Sequence, residues 1–224
     1  MKTRIFLVRH GATTLSNEDR FAGSTDVLLG DDGRQQVERL SARLAAAPIA
    51  AVYGSPMRRT VETAEIVARP HDLRPIAVDG LREIDHGRWE GLRREDVQRD
   101  YPDEYAAWEH DPFTFAPAGG ESGLHVLARA LPAMDEIVKH HCGESVLVVS
   151  HKATNRLLIA SWLGFDARGY RDRLEQLPAC LNLLEFTDSG GVRLVLLNDV
   201  SHYDYDYAWQ PSGTRPPASI ASPV

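Results

Sequence analysis

The stretch Ile5-Phe6-Leu7-Val8-Arg9-His10-Gly11 decides the fold. Four apolar residues in a row read as a strand covered on both faces. Such a strand, stopping at Arg-His-Gly, brings an imidazole and a guanidinium to the carboxyl edge of a sheet, where α/β folds place their ligands. The ligand this set suits is a phosphate. Arg9 offers a planar fork of donors, a neutral His10 can act as a nucleophile, and Gly11 lets the backbone approach closely. By itself the tripeptide decides little, since a His at a strand end is more often structural. Its weight comes from what converges on it.

Two further junctions do so. The apolar run 50–53 leads into Ser55-Pro56-Met57-Arg58-Arg59-Thr60-Val61-Glu62-Thr63. Ser55 reads as an N-cap and Pro56 as a first-turn residue, which puts Arg58 at the positive end of a helix dipole. A cation there makes sense when an anion sits in front of it; Arg59 reads as a solvent-facing neighbour. A third run, Ser145-Val146-Leu147-Val148-Val149-Ser150, ends in His151, again where a strand gives way to a helix.

Strands read at 4–8, 51–53, 76–78, 146–149, 181–186 and 192–197, separated largely by helical patterns. The expected fold is α/β, a three-layer sandwich with a mostly parallel central sheet flanked by helices, plus a small cap-like insertion. Residues 33–47 place Val37, Leu40 and Leu44 on one face, with Asp31 or Asp32 as cap. Residues 122–141 carry a stripe of Leu124, Leu127, Leu131, Met134 and Val138, and Pro132 is expected to kink or divide that helix. Another helix spans 153–163 and stops at Gly164.

The insertion, at about 84–120, holds Trp89, Tyr101, Tyr105, Trp108, Phe113 and Phe115, read as packing residues in a segment that overhangs the site and carries specificity. Arg93 and Arg94 are candidates for a second anionic group on the substrate, although an exposed helix face accounts for both. His86, His110, His125, His140 and His141 lack metal-ligand spacing and read as surface or capping residues. The domain boundaries are 1–203 for a catalytic domain and 204–224 for a Pro- and Ser-rich tail, docked on the domain or on a second subunit of a homodimer.

The chain has 224 residues, 43% of them apolar, enough for one domain with a sizeable core. A net charge of -7, from 25 basic and 32 acidic residues, argues against nucleic acid as a partner. No signal peptide and no membrane-spanning stretch is read, and the cytoplasm is the expected compartment. Cys142 and Cys180 stand apart, without disulfide or zinc spacing.

In the order and type of these motifs the chain resembles the histidine phosphatase superfamily, which includes cofactor-dependent phosphoglycerate mutases, fructose-2,6-bisphosphatase and α-ribazole phosphatase-like enzymes. The resemblance runs from Ile5 to His202. It rests on Arg9-His10-Gly11, on Arg20-Phe21-Ala22-Gly23-Ser24-Thr25-Asp26 as a phosphate loop, and on 55–63 as Ser-Pro-x-x-Arg-x-x-x-Thr. Leu81-Arg82-Glu83-Ile84, Gly119-Gly120-Glu121-Ser122 and Val149-Ser150-His151 complete it. The resemblance implies that His10 is the nucleophile, that Arg9, Arg58 and His151 bind the phosphoryl group, and that Glu83 is the proton donor. It extends substrate binding to Gly23, Ser24, Ser16 and its neighbour Asn17.

Two departures matter. Where many members have a Thr-Glu-Trp-Asn-like run, this chain has Thr13-Thr14-Leu15-Ser16-Asn17, and where many have Gly after the second His it has Lys152. Lys152 either adds charge at the rim of the site or points to solvent. The segment from Glu83 to Gly119 is short and lacks the long basic insertion of the mutases.

These readings lead to a metal-independent phosphomonoester hydrolase acting through phospho-His10 on a small phosphorylated metabolite, with no cofactor. The alternative is a phosphoglycerate mutase. A module that binds phosphate without turnover is disfavoured by the simultaneous presence of Arg9, His10, Arg58, Glu83 and His151.

Overall fold

In the computed structural model residues 1–16 and 19–203 are described; Asn17 and the expected tail at 204–224 lie outside them. Six strands form one sheet: β1 (Lys2–Arg9), β2 (Ile49–Gly54), β3 (Ile76–Ala77), β4 (Ser145–Ser150), β5 (Leu181–Thr187) and β6 (Val192–Asp199). Their order is β3-β2-β4-β1-β5-β6. The first four are mutually parallel, β5 runs antiparallel to β1, and β6 reverses again. The mostly parallel α/β sheet expected from the alternating apolar runs is the one that forms.

The helices are α1 (Asp31–Leu44), α2 (Arg58–Ala68), α3 (Arg94–Asp100), α4 (Pro102–His110), α5 (Gly123–His140), α6 (Lys152–Trp162) and the short α7 (Tyr170–Arg173). Alternate side chains of each strand point to opposite faces. Ile5, Leu7, Val146 and Val148 therefore meet α5 and α6 through Val126, Met134, Leu157 and Leu158. Val8, Val52, Leu147 and Val149 meet α1 and α2 through Val37, Leu40, Ile66 and Val67. Each such side chain contributes roughly 1.5–3 kcal/mol on burial, so the two apolar faces hold the three layers together. β4, buried at all six positions, lies at the centre.

Local details depart from the sequence reading. α1 starts at Asp31 with Gly30 as N-cap, so Asp31 and Asp32 occupy the first turn and complement the dipole instead of capping. α2 starts at Arg58 with Met57 as N-cap, two residues later than Ser55 would have it. α5 runs unbroken through Pro132. Ala128, whose carbonyl loses its partner there, is exposed and can be solvated. The buried face of α5 is Val126, Leu127, Ala130, Met134 and Ile137, while Leu124 is 51% exposed.

The segment 84–120 carries the 3-10 turn Gly87–Trp89 followed by α3 and α4. Trp89, Val97 and Trp108 close around Phe21, with Tyr101, Tyr105 and Phe115 against them, while Phe113 packs on the main core. The aromatics are thus packing residues, and Phe21 ties the insertion to the loop after β1. No helix among the described residues is long and apolar enough to cross a membrane.

Candidate active site

Register assembles the site. Arg9 is paired with Ser150 across β1 and β4, and Gly54 with Val149 across β2 and β4, so three strands end level. The residues that follow them, His10, Ser55 and His151, meet at one point on the carboxyl edge. The His10 N–H donates to the Ser150 carbonyl at 3.1 Å, and the His10 carbonyl accepts from Ala179 N–H at 3.0 Å. The His10 and His151 rings stand edge to face, 5.2 Å apart.

His10 Nδ1 lies 2.7 Å from the Gly11 carbonyl, an arrangement that requires the proton on Nδ1. That leaves the lone pair on Nε2, toward which Arg59 Nε donates at 3.3 Å. Burial, then Arg59 and Arg9, hold the His10 pKa well below the usual imidazole value. His151 is also buried, with Nε2 2.8 Å from Ser55 Oγ and Nδ1 without a partner among the described residues. Burial, then Arg59 and His10, push its pKa well below the usual value too. Both shifts favour the neutral form of each ring.

The arginine beside His10 is Arg59; Arg58, the residue expected there, is not. Arg58 is exposed on the first turn of α2, and its backbone N–H donates to Asp26. Arg59 is 2% exposed and spreads its guanidinium over Thr25 O at 2.8 Å, Gly23 O at 2.7 Å and His10 Nε2. The cause is the late start of α2: with Pro56 and Met57 outside the helix, the second residue of the first turn faces the sheet edge. Counting Ser-Pro-x-x-Arg from Ser55 lands on Arg59, so the signal was in the spacing. Thr63, at the end of that motif, accepts from Gly11 N–H at 3.3 Å and donates to the Arg59 carbonyl at 2.7 Å.

Glu83 reaches the site from the other side. Its Oε1 accepts from Ile84 N–H, Thr154 N–H and Thr154 Oγ1, each at 3.1 Å, and its Oε2 from Ala153 N–H at 3.1 Å. The carboxylate thus crowns the first turn of α6. Arg9 donates through Nη1 to the Gln176 carbonyl at 2.7 Å, and its buried Nε has no partner among the described residues.

Of these, Arg9, His10, Arg59 and Glu83 line a cavity of about 720 Å³ together with Lys152, while His151 lies fully buried behind His10 and is not part of the lining. Ser16 sits at its exposed mouth, its Oγ accepting from Thr13 N–H at 2.7 Å. Gly23 lines the wall, but its N–H donates to Glu90 Oε1 at 3.0 Å, and Ser24 N–H to the same oxygen at 2.9 Å. Neither amide faces the cavity as a phosphate donor. Ser24 does not line the cavity, and its hydroxyl turns to Asp85 at 3.2 Å. A Cβ on Gly23 would come within 1.7 Å of the Ile84 carbonyl, so close approach of the two loops is what requires glycine there.

Arg94 lines the wall and Arg93 does not; His86, expected on the surface or at a cap, lines it as well. His125 does cap α5, in a reciprocal pair with Ser122. Among the described residues no three His, Cys, Asp or Glu converge as a metal-ligand set.

Four contributors escaped the sequence reading. Arg129 of α5 donates to the carbonyls of Gly80, Arg82 and Glu83 at 2.8–3.0 Å and pairs with Glu121, fixing the loop that carries Glu83. Glu90 gathers the amides of Gly23, Ser24 and Thr25. Burial raises its pKa, but the Thr25 hydroxyl and the His86 and Ser24 amides outweigh that and hold it below the usual value. Ser55 orients His151. Arg156, 8% exposed on α6, adds a cation to the wall.

Comparisons with known proteins agree with this geometry. Residues 5–200 match the histidine phosphatase superfamily (branch 1). Phosphoserine phosphatase 1 of Hydrogenobacter thermophilus is 33% identical over 163 residues, 73% of this chain and 77% of that one. The 2-carboxy-D-arabinitol-1-phosphatase of Triticum aestivum is 33% identical over 85% of this chain, which spans only 38% of the wheat protein. The structure of Bacillus stearothermophilus YhfR superposes with a TM-score of 0.85 at 33% identity, covering 90% of this chain and all of that one. The mycobacterial glucosyl-3-phosphoglycerate phosphatase Rv2419c gives 0.80 at 26% identity over 88% and 99%. With two neutral histidines and a buried arginine meeting at the carboxyl edge of a parallel sheet, and with nearly its full described length matched, the chain belongs to branch 1 of the histidine phosphatase superfamily.

Proposed function

We propose that the protein is a phosphatase that hydrolyses small phosphomonoesters through a phosphohistidine at His10. The observation that carries this reading is the tautomer of His10: Nδ1–H tied to Gly11 O leaves an unprotonated Nε2 in a cationic pocket. The catalytic unit is the 1–203 body, with the 84–120 segment as its cap.

The phosphoryl group is held by Arg9, Arg59 and His151. In the first step the Nε2 lone pair forms a bond to phosphorus, and the P–O ester bond breaks with its electrons going to the leaving alkoxide. Arg59 Nε, released from the lone pair, passes to an equatorial oxygen, so the charge developing there meets fixed donors. Glu83 Oε2, with a single hydrogen bond, is the oxygen with room to carry a proton to the alkoxide. In the second step Glu83 takes a proton from water, the new P–O bond forms, and the N–P electrons return to His10. The cations of the protein supply the charge stabilisation, so no divalent ion and no cofactor is needed. With its short cap segment the site leaves phospho-His10 open to water, favouring hydrolysis over transfer back to substrate. The cytoplasm is the compartment proposed.

The test is rapid quenching of a turnover mixture with ³²P-labelled 4-nitrophenyl phosphate. Acid-labile, base-stable label on the peptide containing His10, and its loss together with turnover in His10→Ala, is expected. Turnover in His10→Ala at the wild-type rate would overturn the mechanism.

A further inference from the structure

The cavity has two unequal walls. On the wall formed by the insertion and α7, Arg94 pairs with Asp19 at 3.3 Å and Glu109 at 3.2 Å, and Arg171 with Glu109 at 3.3 Å and Asp172 at 3.2 Å. Both guanidinium groups also lie over the Trp108 ring, at 5.1 and 4.3 Å. These cations are spent on carboxylates and an aromatic face.

The α6 wall is different. Lys152 and Arg156 are four residues apart on α6, one turn, so their side chains share a face. The Lys152 side chain makes no hydrogen bond or ion pair among the described residues. Arg156 is 8% exposed, and among the described residues its buried Nε has no partner and its one carboxylate contact is with Glu175 at 3.4 Å. Glu83, the other carboxylate near Lys152, is held by backbone amides and Thr154 and makes no ion pair with it. The wall therefore carries one cation without an ion pair, Lys152, and one, Arg156, whose single carboxylate contact is the half-exposed Glu175 and whose Nε stays unmet. A buried arginine with an orphaned donor costs stability unless a ligand meets it.

We propose that Lys152 and Arg156 form a second anion subsite beside the phosphoryl pocket, so that preferred substrates carry a carboxylate or second phosphate close to the ester. This rests on the reading of His10 as phosphoryl acceptor. One helical turn, ~6 Å, separates the two cations, so a single carboxylate or phosphate reaches both, and they line the same cavity as Arg9, His10 and Arg59. Burial, then Arg156 and Arg9, lowers Lys152 to about 8, with Glu175 and Glu83 opposing. The subsite thus weakens as pH rises through that value, while Arg156 keeps its charge.

The experiment measures kcat/KM ratios within matched pairs: 3-phosphoglycerate against glycerol 3-phosphate for a carboxylate, and glucose 1,6-bisphosphate against glucose 6-phosphate for a second phosphate. The wild type is expected to favour the member with the second anionic group in at least one pair by tenfold or more, and the pair favoured tells carboxylate from phosphate. Lys152→Met and Arg156→Leu should each bring that ratio toward one. Lys152→Arg should keep it, and should hold it above pH 9 where the wild type loses it. A ratio near one in the wild type, or one indifferent to both Lys152→Met and pH, overturns the subsite. Should Arg156→Leu not fold, Lys152→Met and the wild-type pH profile still decide. Failure to hydrolyse 4-nitrophenyl phosphate would instead sink the phosphatase reading, separately from these ratios.

Discussion

Arg59 Nε donates to Nε2 of His10 at 3.3 Å, while its two terminal nitrogens hold the carbonyls of Thr25 and Gly23. One guanidinium thereby sets the field at the proposed nucleophile and fixes the loop beside it. Burial lowers its pKa, with Glu83 and Asp26 opposing.

Arg59 and Arg58 are neighbours in sequence with opposite expected outcomes. Arg59→Leu removes a donor to the phosphoryl oxygens, a loss of about 10²–10³ in kcat by analogy with single charge-stabilising donors. Arg58→Ala removes an exposed side chain and should keep kcat/KM within about twofold. Steady-state kinetics on 4-nitrophenyl phosphate checks both, and a larger loss from Arg58→Ala would restore the sequence-based assignment.

Glu83→Gln should slow alkyl phosphates far more than aryl phosphates, whose leaving groups need little protonation. Arg129 does not line the cavity, but it holds the Gly80, Arg82 and Glu83 carbonyls. As a positioning residue it should share that signature: Arg129→Met is expected to lose more on glycerol 3-phosphate than on 4-nitrophenyl phosphate. Equal losses on both would mean a purely structural role.

The sheet was legible because its strands are short apolar runs bounded by turn residues, and the two histidines because each directly follows such a run. Arg59 was not, because choosing between adjacent arginines depends on where α2 begins. A Pro at 56 suggested a start that the backbone defers to Arg58. Gly23 and Ser24 looked like phosphate donors because a glycine-rich loop offers amides. The competitor for those amides, Glu90, lies 67 residues from Gly23 along the chain. Arg129 and Arg156 sit on amphipathic helices, where sequence gives a cation no mark of inward direction; only the packing of α5 and α6 shows their targets.

The two neutral histidines also set a pH dependence of stability. His10 and His151 have folded pKa values well below the usual imidazole value, because burial and the neighbouring arginines disfavour their charged forms. An unfolded chain protonates them near pH ~6.5. Below that pH the unfolded state therefore binds more protons, and stability is lost as pH falls and fully present above it. Each ring contributes a slope of up to about 1.4 kcal/mol per pH unit. His86 and His202 add in the same direction, both lowered chiefly by burial, His202 to about 4. Carboxylates held low, such as Glu121 and Asp199, respond only at more acid pH. Urea unfolding between pH 7.5 and 5.5 should show stability falling across this window. His151→Asn should lower the slope by about the share of one imidazole, whatever it does to absolute stability. A slope unchanged in His151→Asn would mean that His151 is protonated in the folded protein, and the neutral pair at the centre of the site would be wrong.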